Sequence, residues 1–185
     1  ERFKRFAYSA RDRMAFQLGR LDTLDFRNHE DSGTYNLGDH AIMLACLQAI
    51  RHVRPSAVVL PVNWMQLTED HAGHDAMIIC GSGYFFLDAQ LQLPTRIACD
   101  IAFVEKHDIP VIIFGAGFNL TDATLKTRSL SLPPDQKLLL GRLLKKCIYI
   151  SVRDEASRQL LLSCTDKPVE LVGDPAFFSE CAAVD

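Results

Sequence analysis

The sequence is poor in most features that disclose a function at once. Its 185 residues include no apolar run near the roughly 18 residues of a membrane span. The opening "ERFKRFAYSARDRM" has no apolar core of a signal peptide. With a formal net charge of -3 and no long Lys/Arg run, there is no electrostatic footprint for nucleic acid, and basic groups that matter must act singly. The six cysteines (Cys46, Cys80, Cys99, Cys147, Cys164 and Cys181) form no C-x-x-C pair. Most sit in apolar runs, where a thiol behaves as a small hydrophobe, so a reducing, cytoplasmic compartment is expected. No dinucleotide fingerprint, P-loop or G-x-S-x-G elbow is present, and Ser82 in "CGSGY" is not read as a hydrolase nucleophile. His71 and His74 in "HAGH" have no further ligands nearby and read as loop histidines. Neither a metal nor a cofactor is expected. The lone Trp64 and the Phe85-Phe86 pair read as packing rather than a stacking platform.

What is present is an alternation. Short β-prone runs at 23–29, 56–62, 76–80, 111–115, 147–152 and 169–173 are mostly continuous in apolar residues, as in strands covered on both faces of a parallel sheet. Helical spacing occupies 39–53, 95–106, 135–146 and 154–163; in the first, Ile42, Ala45, Ala49, Ile50 and Val53 share a face. The stretch between Asn119 and Asp135 reads as a surface connection, with Pro133 and Pro134 opening the next helix. This βαβ pattern predicts a doubly wound α/β domain with a mainly parallel sheet. The length suits one large domain. The sequence opens without Met and stops at Asp185, and is read as a piece of a longer protein.

Ligands of open α/β sheets bind beyond the carboxyl ends of the strands, so the residues following each run are the candidates. They are Asn36, Gly38 and Asp39 after the first run; Gly81, Ser82 and Gly83 after the third; and Gly115, Gly117 and Asn119 in "GAGFN" after the fourth. Arg153 and Asp154 follow the fifth, and "GDP" at 173–175 follows the sixth. Glycines admit a ligand close to the backbone, and N–H groups at a helix start favour an anion. Each glycine pair also fits a simple tight turn. Asp39 suits both a helix cap and a ligand role, which are compatible. A cation at a helix start opposes the helix dipole, so Arg153 calls for a positional reason beyond pairing with Asp154 or Glu155.

In order, "NLGDHAI", "AMIICGSGYF", "IPVIIFGAGFN", "YISVRDEASRQLL" and "LVGDPAFF" resemble the polysaccharide pyruvyl transferase family, with Gly-Ser-Gly where three glycines are common. They span residues 36–178. The resemblance implies a two-lobed fold like that of GT-B glycosyltransferases, with this chain as the Rossmann-like N-terminal lobe over 1–185 and the C-terminal lobe absent from it. It implies transfer of the pyruvyl group of phosphoenolpyruvate to two hydroxyls of a cell-surface or exopolysaccharide sugar, as a ketal. Arg153 is then the candidate cation for the donor. Asp39 and Asp88 are the candidate partners of acceptor hydroxyls. The family's catalytic His and further anion-binding Arg residues lie in the second lobe, so the lobe alone is expected to be inactive. Phosphoenolpyruvate and a carbohydrate acceptor are the implied partners, and peripheral association with a membrane-bound glycan assembly is compatible with them. Two other classes remain: a GT-B-like glycosyltransferase using a nucleotide sugar, and a non-catalytic glycan-binding or scaffold lobe.

Overall fold

The computed structural model describes residues 37–59, 67, 69–81, 84–120 and 131–178. The chain divides into two compact units, residues 1–61 with 175–185 and residues 62–174.

In the first unit, helix α1 (Leu37–Val53) buries Ile42, Ala45, Cys46, Leu47 and Ile50, while Gln48, Arg51 and His52 are exposed. The helix stops where Pro55 follows Arg54, whose N–H donates to the Ile50 carbonyl at 2.8 Å. A 3-10 turn at Pro175–Phe178 lies beside α1. Of the run expected at 56–62, only Val58 makes a β-bridge before the described residues end at 59. The run expected at 23–29 and Trp64 lie outside the described residues.

The second unit is the α/β body. It comprises β1 (Met77–Cys80), β2 (Phe85–Leu87), α2 (Thr95–Lys106), β3 (Val111–Ala116), β4 (Phe118–Leu120), α3 (Pro134–Lys146), β5 (Cys147–Val152), α4 (Glu155–Leu162) and β6 (Glu170–Leu171). Strands β1, β3, β5 and β6 form one parallel sheet in that order, and β2 pairs with β4 in a second, also parallel. The α/β class, the mainly parallel sheet and the Rossmann-like character expected from the sequence are therefore present. Strand β3 is buried along its whole length, which explains its unbroken apolar sequence.

Each helix has a local reason for its start and its buried face. Pro133 precedes α3 and Pro134 occupies its first turn, where a missing N–H costs nothing. Ile97, Ile101 and Val104 line the buried side of α2, and Leu140, Leu143 and Leu144 that of α3, at the three- and four-residue spacing of a helix face. The two helices are neighbours, with Arg142 Nε donating to Glu105 Oε1 at 3.0 Å. Cys147 closes the same core. Its Sγ donates to the Leu143 carbonyl at 3.4 Å, and burial pushes its thiol up to about 12, as suits an inert packing residue. Cys99 departs from the expected burial of thiols and is exposed on α2.

Two irregularities shape the sheet's carboxyl edge. Ile113 stands opposite Ile150 and Ala116 opposite Val152, so β3 uses three steps where β5 uses two. The extra residue is accommodated at Gly115, whose φ of 61° is a conformation that a side chain disfavours. Ser151, fully buried on β5, ties the two strands together at the bulge: its Oγ accepts from the Gly115 N–H at 3.0 Å and its hydroxyl donates to the Ile113 carbonyl at 3.3 Å.

The second irregularity is a change of sheet. After Gly117 the chain pairs with β2, and the Phe85 and Phe118 rings stack at 4.9 Å. Thus "GAGFN" is a correction to the sequence reading: it runs from one strand into another, with Gly117 as the joint, and is not a loop after β3.

Candidate functional site

The carboxyl edge of the second unit gathers its polar groups around Arg153. Asp154 caps α4 by accepting the Ser157 N–H on Oδ1 at 2.8 Å, which fixes the last turn of chain after β5. The Ser157 hydroxyl oxygen in turn accepts the Phe118 N–H at 2.9 Å and ties α4 to the start of β4. The Arg153 N–H donates to the Ala116 carbonyl at 3.0 Å. Its backbone is therefore held between two neighbouring strand ends before the side chain makes any contact.

The Arg153 guanidinium lies across Gly117. A Cβ built on that glycine would fall 2.9 Å from Cζ and 3.0 Å from Cδ, and closer still to Nε. Nη2 donates to Asn119 Oδ1 at 2.8 Å, and Nη1 meets Asp174 Oδ2 at 3.4 Å. Asp154 Oδ2 is 3.6 Å from Nε. Arg153 and Asp174 have side chains 25% and 24% exposed, so the cluster is at the surface and partly shielded. Its chemistry is a guanidinium fork flanked by one neutral amide oxygen and two carboxylates. The helix-start position that opposes the dipole is explained by these contacts. Glu155 is engaged elsewhere, by Arg158 and Gln159.

The structure thus brings Gly117, Asn119 and Arg153 together, as sequence position suggested, and adds Asp174 from the "GDP" stretch. That stretch was visible as a strand end. The pairing was not, because it depends on the β5/β6 register: Val152 lies opposite Leu171, which leaves Arg153 and Asp174 just beyond their paired ends.

The other candidates lie apart from this cluster or make contacts of their own. Gly81 (φ 41°) donates its N–H to the Phe114 carbonyl at 2.8 Å, and the Gly115 N–H goes to Ser151. These two glycines shape the sheet edge and do not offer their N–H groups to a ligand. Asp88 Oδ1 accepts the N–H groups of Gln90 and Gln92 at 2.8 and 2.9 Å and so holds its own turn. Gly38 and Asp39 lie in the first turn of α1, which begins at Leu37. Asp39 is therefore the third helical residue and does not precede the helix as a cap. Asn36, Ser82 and Gly83, and the side chain of Asp39, lie outside the described residues. His74 Nδ1 sits 3.1 Å from the His71 carbonyl within their loop. Among the described residues no three His, Cys, Asp or Glu side chains gather to hold a metal ion, and no helix is long and apolar enough to cross a membrane.

Sequence reasoning passed over a second polar cluster, next to the 81–83 segment. The Tyr84 hydroxyl donates to Asp100 Oδ2 at 2.6 Å, and Arg96 Nη2 donates to the Tyr84 carbonyl at 3.2 Å with its Cζ 4.8 Å from the ring centre. Arg96 and Asp100 are four residues apart on α2, so one helix face grips the residue that ends the glycine segment. Burial pushes the Asp100 carboxyl above its ordinary value of 3.8, against the opposing pull of the Tyr84 hydrogen bond and Arg96. Burial, with the Asp100 charge, also raises the Tyr84 phenol.

A raised carboxyl means that the folded state binds the proton more tightly, so this contribution to stability is complete below pH 3.8 and lost as pH rises through the folded value. Asp100→Asn keeps an acceptor for the phenol without the charge. Its unfolding free energy relative to wild type should improve between acid and neutral pH in chemical denaturation. A difference independent of pH would contradict this account.

A family model for polysaccharide pyruvyl transferase matches residues 36–184, well over half of the chain. No match was found among curated proteins or among solved structures. The match covers every strand of the described sheets and all of the Arg153 cluster, and the chain belongs to the polysaccharide pyruvyl transferase family.

Proposed function

We propose that the protein transfers the pyruvyl group of phosphoenolpyruvate to a sugar of a cell-surface or exopolysaccharide, in the cytoplasm. In this reading the chain is the N-terminal lobe, and a C-terminal lobe supplies the catalytic His and further cations. The observation that carries the reading is the partly exposed Arg153 fork at the carboxyl edge of the sheet. Such an edge is where α/β folds bind ligands, and a guanidinium matches both the phosphate and the carboxylate of the donor.

The chemistry balances as follows. A proton adds to the methylene carbon of phosphoenolpyruvate, and the neighbouring carbon gains oxocarbenium character. One sugar hydroxyl bonds to that carbon and loses its proton. The carbon–oxygen bond to phosphate then breaks as a second hydroxyl attacks, and its proton leaves with the phosphate. The products are a pyruvate ketal and inorganic phosphate, so an acid and a base must act at different atoms. Arg153 would hold the donor anion. Asp39, and Asp88 through the oxygen not bound in its turn, are proposed for the acceptor hydroxyls; Gly117 leaves the room that the Arg153 fork occupies.

Phosphate release by the full-length protein given phosphoenolpyruvate and a glycan acceptor tests the reading. Acceptor-dependent release is expected. Turnover with a nucleotide sugar but none with phosphoenolpyruvate would replace it by a glycosyltransferase, and no turnover with either by a glycan-binding or scaffold lobe.

A further inference from the structure

The three groups around the Arg153 fork are not equivalent. Asn119 meets Nη2 with a neutral oxygen at 2.8 Å and brings no charge to compete with a ligand. Asp154 is fixed by the helix it caps, through the 2.8 Å bond from Ser157. Asp174 meets Nη1 at 3.4 Å, longer than the charge-assisted hydrogen bonds that hold a guanidinium firmly. It sits three residues past the end of β6 and directly after Gly173, whose φ is 81°. Ion pairs this exposed contribute about 0–1 kcal/mol. An oxyanion that offers two oxygens at hydrogen-bond distance makes the stronger contact.

We propose that Asp174 is an exchangeable counter-ion: it steadies Arg153 and yields the fork to an oxyanion of the ligand when that ligand binds. This rests on the reading of Arg153 as the donor's anion-binding residue, and it gives Asp174 the role of setting how tightly the site holds an anion. The carboxylate raises the dissociation constant of every anion that uses Arg153. Each anion must displace the same carboxylate, so all of them are weakened by a similar factor. Asn119 positions the fork without this competition.

The test is calorimetric titration of the full-length wild type, Asp174→Asn, Arg153→Ala and the double variant, with inorganic phosphate and separately with phosphoenolpyruvate. Asp174→Asn should bind both anions about threefold to fivefold more tightly, which corresponds to up to ~1 kcal/mol. The gain should vanish in the double variant. Unchanged or weaker binding by Asp174→Asn, no binding of either anion by any variant, or a gain that survives without Arg153 would overturn the exchange. The two readings fail differently. Tighter phosphate binding in Asp174→Asn with no binding of phosphoenolpyruvate would keep the exchange and remove the donor assignment. Equal binding of phosphoenolpyruvate by wild type and Asp174→Asn would keep the donor and remove the exchange.

Discussion

Arg153→Ala in the intact enzyme should lower kcat/KM for phosphoenolpyruvate by about 100-fold, equivalent to ~2.7 kcal/mol of lost transition-state binding. The magnitude is that of a charge-assisted, two-pronged contact with an anion whose charge is redistributed as the reaction proceeds. The melting temperature should hardly change, because the ion pairs of Arg153 are partly exposed and such pairs add little to stability. Arg153→Lys should recover only a small part of the loss. An ammonium is a point charge, and it cannot reach Asn119 and an anion with the fixed spacing of the fork. Steady-state kinetics beside thermal unfolding would check both variants. Unaltered kcat/KM in Arg153→Ala would return the residue to a purely structural tie between strand ends.

The second large effect belongs to a residue with no side chain. Gly117→Ala should also lower kcat/KM, about 10-fold or more, with little loss of stability. Its φ is outside the left-handed region, unlike Gly81, Gly115 and Gly173, so alanine brings no backbone strain. The added methyl enters the space of the Arg153 side chain. A flexible arginine can move aside at modest cost to folding, but the guanidinium then leaves the place set by Asn119 and Asp174. The consequence is a coupling that simple damage would not show. In an Arg153→Ala background, Gly117→Ala should have almost no further effect, so the double-mutant cycle should be strongly non-additive. Additive losses would mean that Gly117 serves the ligand or the backbone directly.

Much of this was legible in the sequence because burial leaves a coarse mark. The uninterrupted apolar runs of β3 and β5 and the spaced apolar residues of α2 and α3 follow from position in a covered parallel sheet, and their bounds agree with the sequence reading within a residue or two. Strands β2 and β4 were not legible. Each has three residues, too few for any period, and they exist through a long-range pairing and the Phe85–Phe118 stack.

The site divides in the same way. Arg153 could be found from its place after a buried strand. Its hold on Asn119 and Asp174 could not, since those residues are 34 and 21 positions away and meet it only through strand register. The half-buried Tyr84, Asp100 and Arg96 group was hidden because three residues of different type, on two segments of the chain, become a cluster only when α2 packs beside the chain that follows β1. Gly81 and Gly115 had two readings in the sequence, close approach of a ligand or a tight turn. Their positive φ and internal hydrogen bonds supply a structural reason for glycine at the sheet edge.

The most direct measurement follows the carbon that is transferred. Phosphoenolpyruvate labelled with carbon-13 at its enol carbon would be given to the full-length wild type and to Arg153→Ala with the glycan acceptor, and the glycan examined by NMR. The account predicts a labelled ketal carbon in the wild-type product and almost none from the variant. Label absent from the glycan, or equally abundant with Arg153→Ala, would contradict it.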